Sequence, residues 1–187
     1  MIPEPCVATI GFFDGVHMGH RYLIQQVKEI AAAKGLRSAL VTFPVHPRKV
    51  MNAAYHPELL TTPEEKTNLL AGTGVDYCLM LDFTPDISRL TAKEFMTQIL
   101  KERFQVKYLV IGYDHRFGHN RSEGFDDYVR YGQAIGIEVI RAQAYTDDIQ
   151  IDTIQSAPVS SSLIRKLLHQ GDVDVAARCL GYEYFLD

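Results

Sequence analysis

The chain has 187 residues, 47% of them hydrophobic, and a formal net charge of -4; this suits one compact domain with a sizeable core and gives no electrostatic footprint for duplex nucleic acid. No apolar run is long enough to span a bilayer and the start does not resemble a secretion signal, so the expected compartment is the cytoplasm. Three cysteines, Cys6, Cys78 and Cys179, are widely spaced in apolar segments, which predicts reduced core residues rather than a disulfide framework.

Taken in order, Val7-Ala8-Thr9-Ile10 reads as a buried strand. After the decamer Gly11-Phe12-Phe13-Asp14-Gly15-Val16-His17-Met18-Gly19-His20, the residues Leu23, Val27, Ile30 and Ala31 recur on one helical face that ends at Gly35. The run from Ser38 to Phe43 is a second strand, stopped by Pro44 and Pro47. Strand, helix and strand make a β-α-β unit whose right-handed crossover places the two strands parallel. From Pro44 to Thr62 the pattern predicts an irregular excursion with one short helical turn.

Thr61 or Thr62 then caps a helix that has Pro63 at its start and Glu64 and Glu65 in its first turn. Asp76 to Asp82 reads as a third strand, Ala92 to Phe104 as a helix capped by Thr91, and Lys107 to Gly112 as a fourth strand. A helix from Phe125 to Ala134 leads to a fifth strand, Ile137 to Arg141. Weak alternation through Tyr145, Ile149, Ile151 and Ile154 fits a further short strand or an edge hairpin. Ser160 opens a helix stopped by Gly171, and Asp172 opens a last one running to Leu180. Strands alternating with helices predict an α/β fold, a Rossmann-like doubly wound parallel sheet of about five strands with helices on both faces.

Two stretches carry chemistry. The decamer joins a strand to a helix start, where unpaired backbone N–H groups and the helix dipole attract an anion. Gly11, Gly15 and Gly19 let backbone approach a ligand and permit positive φ. His17 and His20, three apart, can aim two imidazoles at one phosphate. A Gly-rich turn alone is common in α/β proteins, and the His-x-Gly-His pair is what singles this one out. No glutamate or third ligand accompanies the pair as zinc would need, and the glycines lack the Gly-x-Gly-x-x-Gly spacing of a dehydrogenase.

Ser160, Ser161, Ser162 and Arg165 form the second stretch, in which hydroxyls, helix-start amides and a guanidinium converge on an anion. Beyond the fourth strand, Tyr113 to Arg121 adds Asp114, Arg116 and Phe117 at the strand edge where open parallel sheets bind ligands.

These residues have a family resemblance. Gly11-Phe12-Phe13-Asp14-Gly15-Val16-His17-Met18-Gly19-His20 resembles the HxGH signature of the nucleotidyltransferase superfamily. Val159-Ser160-Ser161-Ser162-Leu163-Ile164-Arg165 resembles its second motif. Thr42-Phe43 with His46-Pro47, Leu60-Thr61-Thr62 with Glu65-Lys66, Gly74 to Tyr77, and Gly112-Tyr113-Asp114 with Arg116-Phe117-Gly118 follow in the expected order. Together they resemble the adenylyltransferase domain of bacterial bifunctional riboflavin kinase/FAD synthetases. Two departures are Val45-His46-Pro47 in place of Pro-His-Pro, and the lack of a riboflavin kinase domain, whose Gly-Phe-Pro-Thr-Ala-Asn stretch is not in these 187 residues.

The resemblance implies FMN adenylyltransferase activity: ATP and FMN give FAD and pyrophosphate, with Mg2+ on the triphosphate. It implies catalytic roles for His17, His20 and Arg165. Gly11, Phe12, Phe13, Asp14, Gly15, Gly19, Ser160, Ser161 and Ser162 would bind ATP, while Phe43, His46, Pro47, Asp114, Arg116 and Phe117 would contact the flavin. The expected partners are these small molecules and a riboflavin kinase domain, with no nucleic acid and no membrane. The alternatives are another HxGH transferase with a different acceptor, or a non-catalytic flavin- or nucleotide-binding module. All of these nucleotide readings require the two separate helix starts to meet over one triphosphate.

Overall fold

The computed structural model describes residues 4–56, 58–112, 115–145, 149–150 and 156–184. Five parallel strands form one sheet in the order β3-β2-β1-β4-β5. The strands are β1 (Cys6–Ile10), β2 (Arg37–Thr42), β3 (Tyr77–Met80), β4 (Val106–Ile111) and β5 (Glu138–Arg141). β1 is central and all five of its residues are buried, as a near-continuous apolar run in a doubly covered parallel sheet requires.

Side chains alternate across the sheet, and the two faces are covered by different helices. On one face Val7 and Val110 pack with Val27 and Ala31 of α1 (Met18–Lys34). Leu40 packs on the same side with Ile24 of α1 and Leu70 of α3 (Pro63–Ala71), which follows the single turn α2 (Pro47–Met51). On the other face Cys6, Ala8, Ile10, Ala39, Val41, Leu109 and Ile111 meet Phe95, Met96, Leu100 and Tyr128. Those residues belong to α5 (Ala92–Phe95), preceded by the turn α4 (Pro85–Ser88), and to α6 (Phe125–Ile135) and the segment between them. The doubly wound fold and the short helical turn in the 44–62 excursion are thus as the sequence predicts.

Several details differ from the sequence reading. The single helix expected over Ala92 to Phe104 is α-helical for one turn and π-helical from Met96 to Arg103. Of the two threonines the sequence offers as caps for α3, it is Thr62 that serves, in a reciprocal box with Glu65. Thr61 instead turns its hydroxyl into the interior. The weak alternation after Tyr145 contains a separate antiparallel pair, β6 (Ile149–Gln150) with β7 (Ser156–Ala157); Ile151 and Ile154 lie outside the described residues. Cys6 and Cys179 are core residues, but Cys78 is exposed. β3 is an edge strand, and its alternation sends Tyr77 and Leu79 to the core while Cys78 and Met80 face outward.

The last two helices, α7 (Ser161–His169) and α8 (Val173–Leu180), form their own small core of Ile164, Leu167, Ala176, Cys179 and Leu180. Leu60, from the loop before α3, completes that core. The helix pair is therefore packed onto the loop region at the carboxyl ends of β1 and β2, not onto the sheet itself.

Gly118 pins the loop after β4 to the start of α5. Its φ of 87° and ψ of 167° are open to glycine alone, and a Cβ there would lie 2.6 Å from the Ala92 backbone nitrogen. Gly118→Ala should cost about 3 kcal/mol in strain and overpacking. Thermal unfolding should then shift down by about 6–12 °C, and a change below about 1 °C would contradict the account.

Candidate active site

β1 and β4 are neighbours whose following segments depart to opposite faces of the sheet, which opens a crevice at their carboxyl ends. The decamer lies in that crevice. Phe13 (φ 59°), Gly15 (φ 82°) and Val16 (φ 42°) all have left-handed backbone. For β-branched Val16 this is a strained state that the surroundings must hold. Among the three glycines of the decamer only Gly15 uses positive φ. Gly11 and Gly19 serve by lacking a Cβ, which would lie 3.2 Å from the Phe13 ring and 3.0 Å from the His17 ring respectively.

What holds the loop is Asp14. Its carboxylate, 5% exposed, accepts from the backbone N–H groups of Leu60 at 3.0 Å and Thr61 at 3.2 Å and from the Thr61 hydroxyl at 3.3 Å. Arg165 Nη2 donates to the same group at 2.6 Å, and Arg165 Nε donates to the Glu58 carbonyl at 2.6 Å. Ser161 Oγ donates to the Asp14 backbone carbonyl at 2.9 Å. The Gly15 N–H donates to Thr61 Oγ1 at 3.2 Å, and the Tyr182 hydroxyl donates to the Gly15 carbonyl at 2.7 Å. The two helix starts therefore meet, as the nucleotide reading requires.

At the α1 start, His17 is the N-cap, and its Nδ1 accepts the His20 N–H at 3.2 Å. That bond assigns the proton of a neutral His17 to Nε2, leaving an Nε2–H donor. The two imidazoles stack at 3.6 Å with 14° between their planes, and the Phe13 ring meets His20 edge-on at 5.3 Å. Burial pushes His17 down to about 4, against the pull of Asp14. His20 is also held well below the ordinary histidine value, by burial first and then by the charges of His17 and Lys66. Its Nδ1 is buried and has no hydrogen-bond partner among the described residues. Both imidazoles are neutral at pH 7, so each has one N–H to offer an anion rather than a full positive charge.

Of the serines, Ser160 Oγ caps α7 by accepting the Leu163 N–H at 3.1 Å. Ser161 is committed to the Asp14 carbonyl, and Ser162 is exposed. Arg165 has used two of its five N–H groups, leaving the rest of its fork for a ligand.

The expected flavin contacts divide. Phe43 is buried and packs edge-on against Phe83 at 5.5 Å. His46 caps α2, with Pro47 at the first helical position, and lies edge-on to Phe12 at 4.8 Å. Its pKa is lowered by burial and then by the cations Arg48, Arg165 and Arg121, the last two from α7 and the loop after β4. Arg116 is exposed, with a bond to the Glu123 carbonyl at 3.4 Å. Phe117 is 8% exposed and stacked on Tyr128 at 4.2 Å, so it anchors its loop in the core rather than standing among charges. Asp114 lies outside the described residues.

The sequence reading overlooked Lys66 as a site residue, although the residue falls on the buried face of α3 with Leu70, four positions on. A lysine in an apolar stripe was the available signal. It also missed Tyr182 and Glu58, which act through distant contacts that no local pattern marks. Among the described residues no group of three or more His, Cys, Asp or Glu side chains could hold a metal ion. An open crevice of about 580 Å3, lined by Lys34, Lys107, Tyr108 and Glu138, lies at the opposite end of the sheet and shares no residue with this site.

Since the unfolded His17 binds a proton near pH 6.5 and the folded one only near 4, the unfolded chain holds more protons between those values and stability falls as pH drops through that window. The full loss below pH 4 is about 3 kcal/mol for His17, and His20 adds in the same direction. Urea unfolding from pH 7 to 4.5 should show this decline, and His17→Asn, which still caps a helix but cannot ionise, should flatten it. Equal slopes for the two proteins would contradict the assignment.

The family model described as FAD synthetase matches residues 1–158. The chain is 34% identical over 179 residues to the bifunctional riboflavin kinase/FMN adenylyltransferase of Listeria monocytogenes, covering 95% of this chain and 54% of that protein. For the proteins of the same name, the figures are 32% over 181 residues, 97% and 56%, in Escherichia coli strain K12, and 32% over 184 residues, 96% and 54%, in Bacillus subtilis. The chain thus spans about half the length of the curated relatives it matches. A solved structure described as a macrolide-efflux protein from Streptococcus pneumoniae superposes with a TM-score of 0.81 at 28% identity, covering 98% of this chain and 67% of that one. With the family model matching most of its length and both HxGH-type motifs meeting at one crevice, the chain belongs to the FAD synthetase family.

Proposed function

We propose that this chain is the adenylyltransferase unit of its family and transfers AMP from ATP to FMN, giving FAD and pyrophosphate. The observation that carries the reading is the junction of the imidazole loop with the α7 start through Asp14. A phosphate oxygen of FMN attacks the α-phosphorus of ATP in line, the new P–O bond forms, and the bond to the bridging oxygen breaks. Pyrophosphate leaves with that electron pair. The nucleophile is already anionic, so no protein base is needed, and catalysis rests on positioning and on stabilising the charge that moves to the leaving group.

In this scheme the Nε2–H of His17 and the free N–H of His20 donate to the α-phosphate. As neutral donors they place no full charge against the ground state, and they gain strength as negative charge builds on the reacting oxygens. The remaining N–H groups of Arg165, the Ser162 hydroxyl and the first amides of α7 take the β- and γ-phosphates. Magnesium enters on ATP as part of the substrate. Asp14, already hydrogen-bonded to four groups, acts by aiming Arg165 rather than by binding the ion. The flavin would lie along Phe12, Phe43, His46 and Pro47 with Arg116 at its rim, and the reaction fits a cytoplasm rich in ATP.

The curated relatives are named for two activities, and this chain spans about half their length. Incubation with ATP, Mg2+ and FMN, followed by chromatography, should show FAD appearing with stoichiometric pyrophosphate. Binding of both substrates without pyrophosphate release would instead favour a binding module, and preference for CTP or for pantetheine phosphate would redirect the acceptor. His20→Ala should lower turnover by about a hundred- to a thousandfold while ATP affinity changes little. Near-wild-type turnover in that variant would remove His20 from the mechanism.

A further inference from the structure

Lys66 is the one lysine among the described residues in the buried class, at 2% exposed, and the chemistry above does not use it. Its ammonium donates to the Phe12 carbonyl at 3.0 Å and to the Phe43 carbonyl at 2.8 Å. Phe12 belongs to the nucleotide loop after β1, and Phe43 to the acceptor loop after β2. The same ammonium lies 3.7 Å from the centre of the Phe12 ring, a cation–π contact in a desolvated setting. The other edge of this arrangement is His46, whose ring meets Phe12 at 4.8 Å. One buried cation therefore ties together the two loops that would carry the two substrates.

Burying an ammonium is costly unless it is bonded and paired. A well-packed apolar residue would stabilise two adjacent loops as well or better, so fold stability alone is a poor reason for a lysine here. We propose that Lys66 is a positioning residue for the transfer reaction, setting the spacing between the nucleotide loop and the acceptor loop so that the two reacting phosphates come within attacking distance. The proposal rests on the adenylyl-transfer reading above. Its physical content is that a displacement of about 1 Å between reactants can cost a hundredfold in rate without weakening the binding of either one alone.

The ionisable groups facing Lys66 are Asp14 in the nucleotide loop, His20 on α1 and Cys78 on β3. Burial pushes Lys66 down to about 8, against the pull of Asp14, while burial moves the Cys78 thiol upward from its ordinary value. Raising the pH through 8 neutralises the ammonium and loses the cation–π contact. The sign for stability is opposite. Between the folded value and the higher unfolded one, the unfolded chain binds more protons, so this group makes the fold more stable as pH rises.

The test uses the whole chain with ATP, Mg2+ and FMN, and compares wild type with Lys66→Met and Lys66→Gln. Turnover should fall about a hundredfold in both variants, while the dissociation constants for ATP alone and for FMN alone stay within about threefold. Turnover within threefold of wild type would overturn the proposal, as would parallel losses of turnover and of both affinities, the mark of a merely structural lysine. Should neither variant fold, the wild-type pH profile decides: turnover should decline above about pH 8 with no matching fall in melting temperature, and Cys78→Ser should keep that decline. A profile level to pH 9.5 would overturn it. If wild type forms no FAD, the transfer reading fails and the proposal with it; if wild type forms FAD and the lysine variants match it, only the role of Lys66 is lost.

Discussion

A single buried carboxylate organises this site. Asp14 accepts from Leu60, Thr61 and Arg165, so the loop after β1, the loop before α3 and the α7 helix share one anchor. An ionised group taken out of water is tolerated only when its lone pairs are filled and an opposite charge is near, and here both conditions are met by backbone amides and a guanidinium. The same bonds restrain the left-handed residues Phe13, Gly15 and Val16. Strain in the loop and satisfaction of the carboxylate are two sides of one arrangement.

The imidazoles benefit from that anchoring. His17 is buried, His20 is half-buried, and the two rings are stacked and held below the ordinary histidine value; neutral donors of this kind suit the proposed transfer, in which negative charge appears during reaction. A preorganised donor costs no reorganisation when that charge develops. Gly19 matters to this geometry through the room it leaves for the His17 ring. Lys66 sits on the far side of the same loop, where its charge helps to keep His20 neutral while its donors reach the Phe12 and Phe43 carbonyls.

Local pattern made the framework readable. The apolar runs of β1, β2 and β4 are buried on both faces, and Thr62, Thr91 and Ser160 cap helices where the sequence placed caps or next to that position. The paired histidines and the serine-arginine run were visible because each lies within one short stretch at a helix start. Cys78 was misjudged because a strand pattern does not state whether the strand lies at an edge. Phe117 is flanked by charged residues in sequence, whereas in space its ring lies against Tyr128, Phe95 and His115.

What the sequence determined by itself is the alternation of strands and helices, their caps and the position of the histidine pair and the serine-arginine run at two helix starts, because these depend on periodicity and on hydrogen bonds spanning three or four residues. The tertiary structure alone decided that Asp14 clasps Arg165, 151 positions away, that two of the three serines are already engaged, and that Lys66 is buried between two loops. Those outcomes depend on which distant groups meet when the sheet closes its crevice. Burial also sets the charge state of His17 and His20, and no sequence pattern states how much water a folded chain removes from an imidazole.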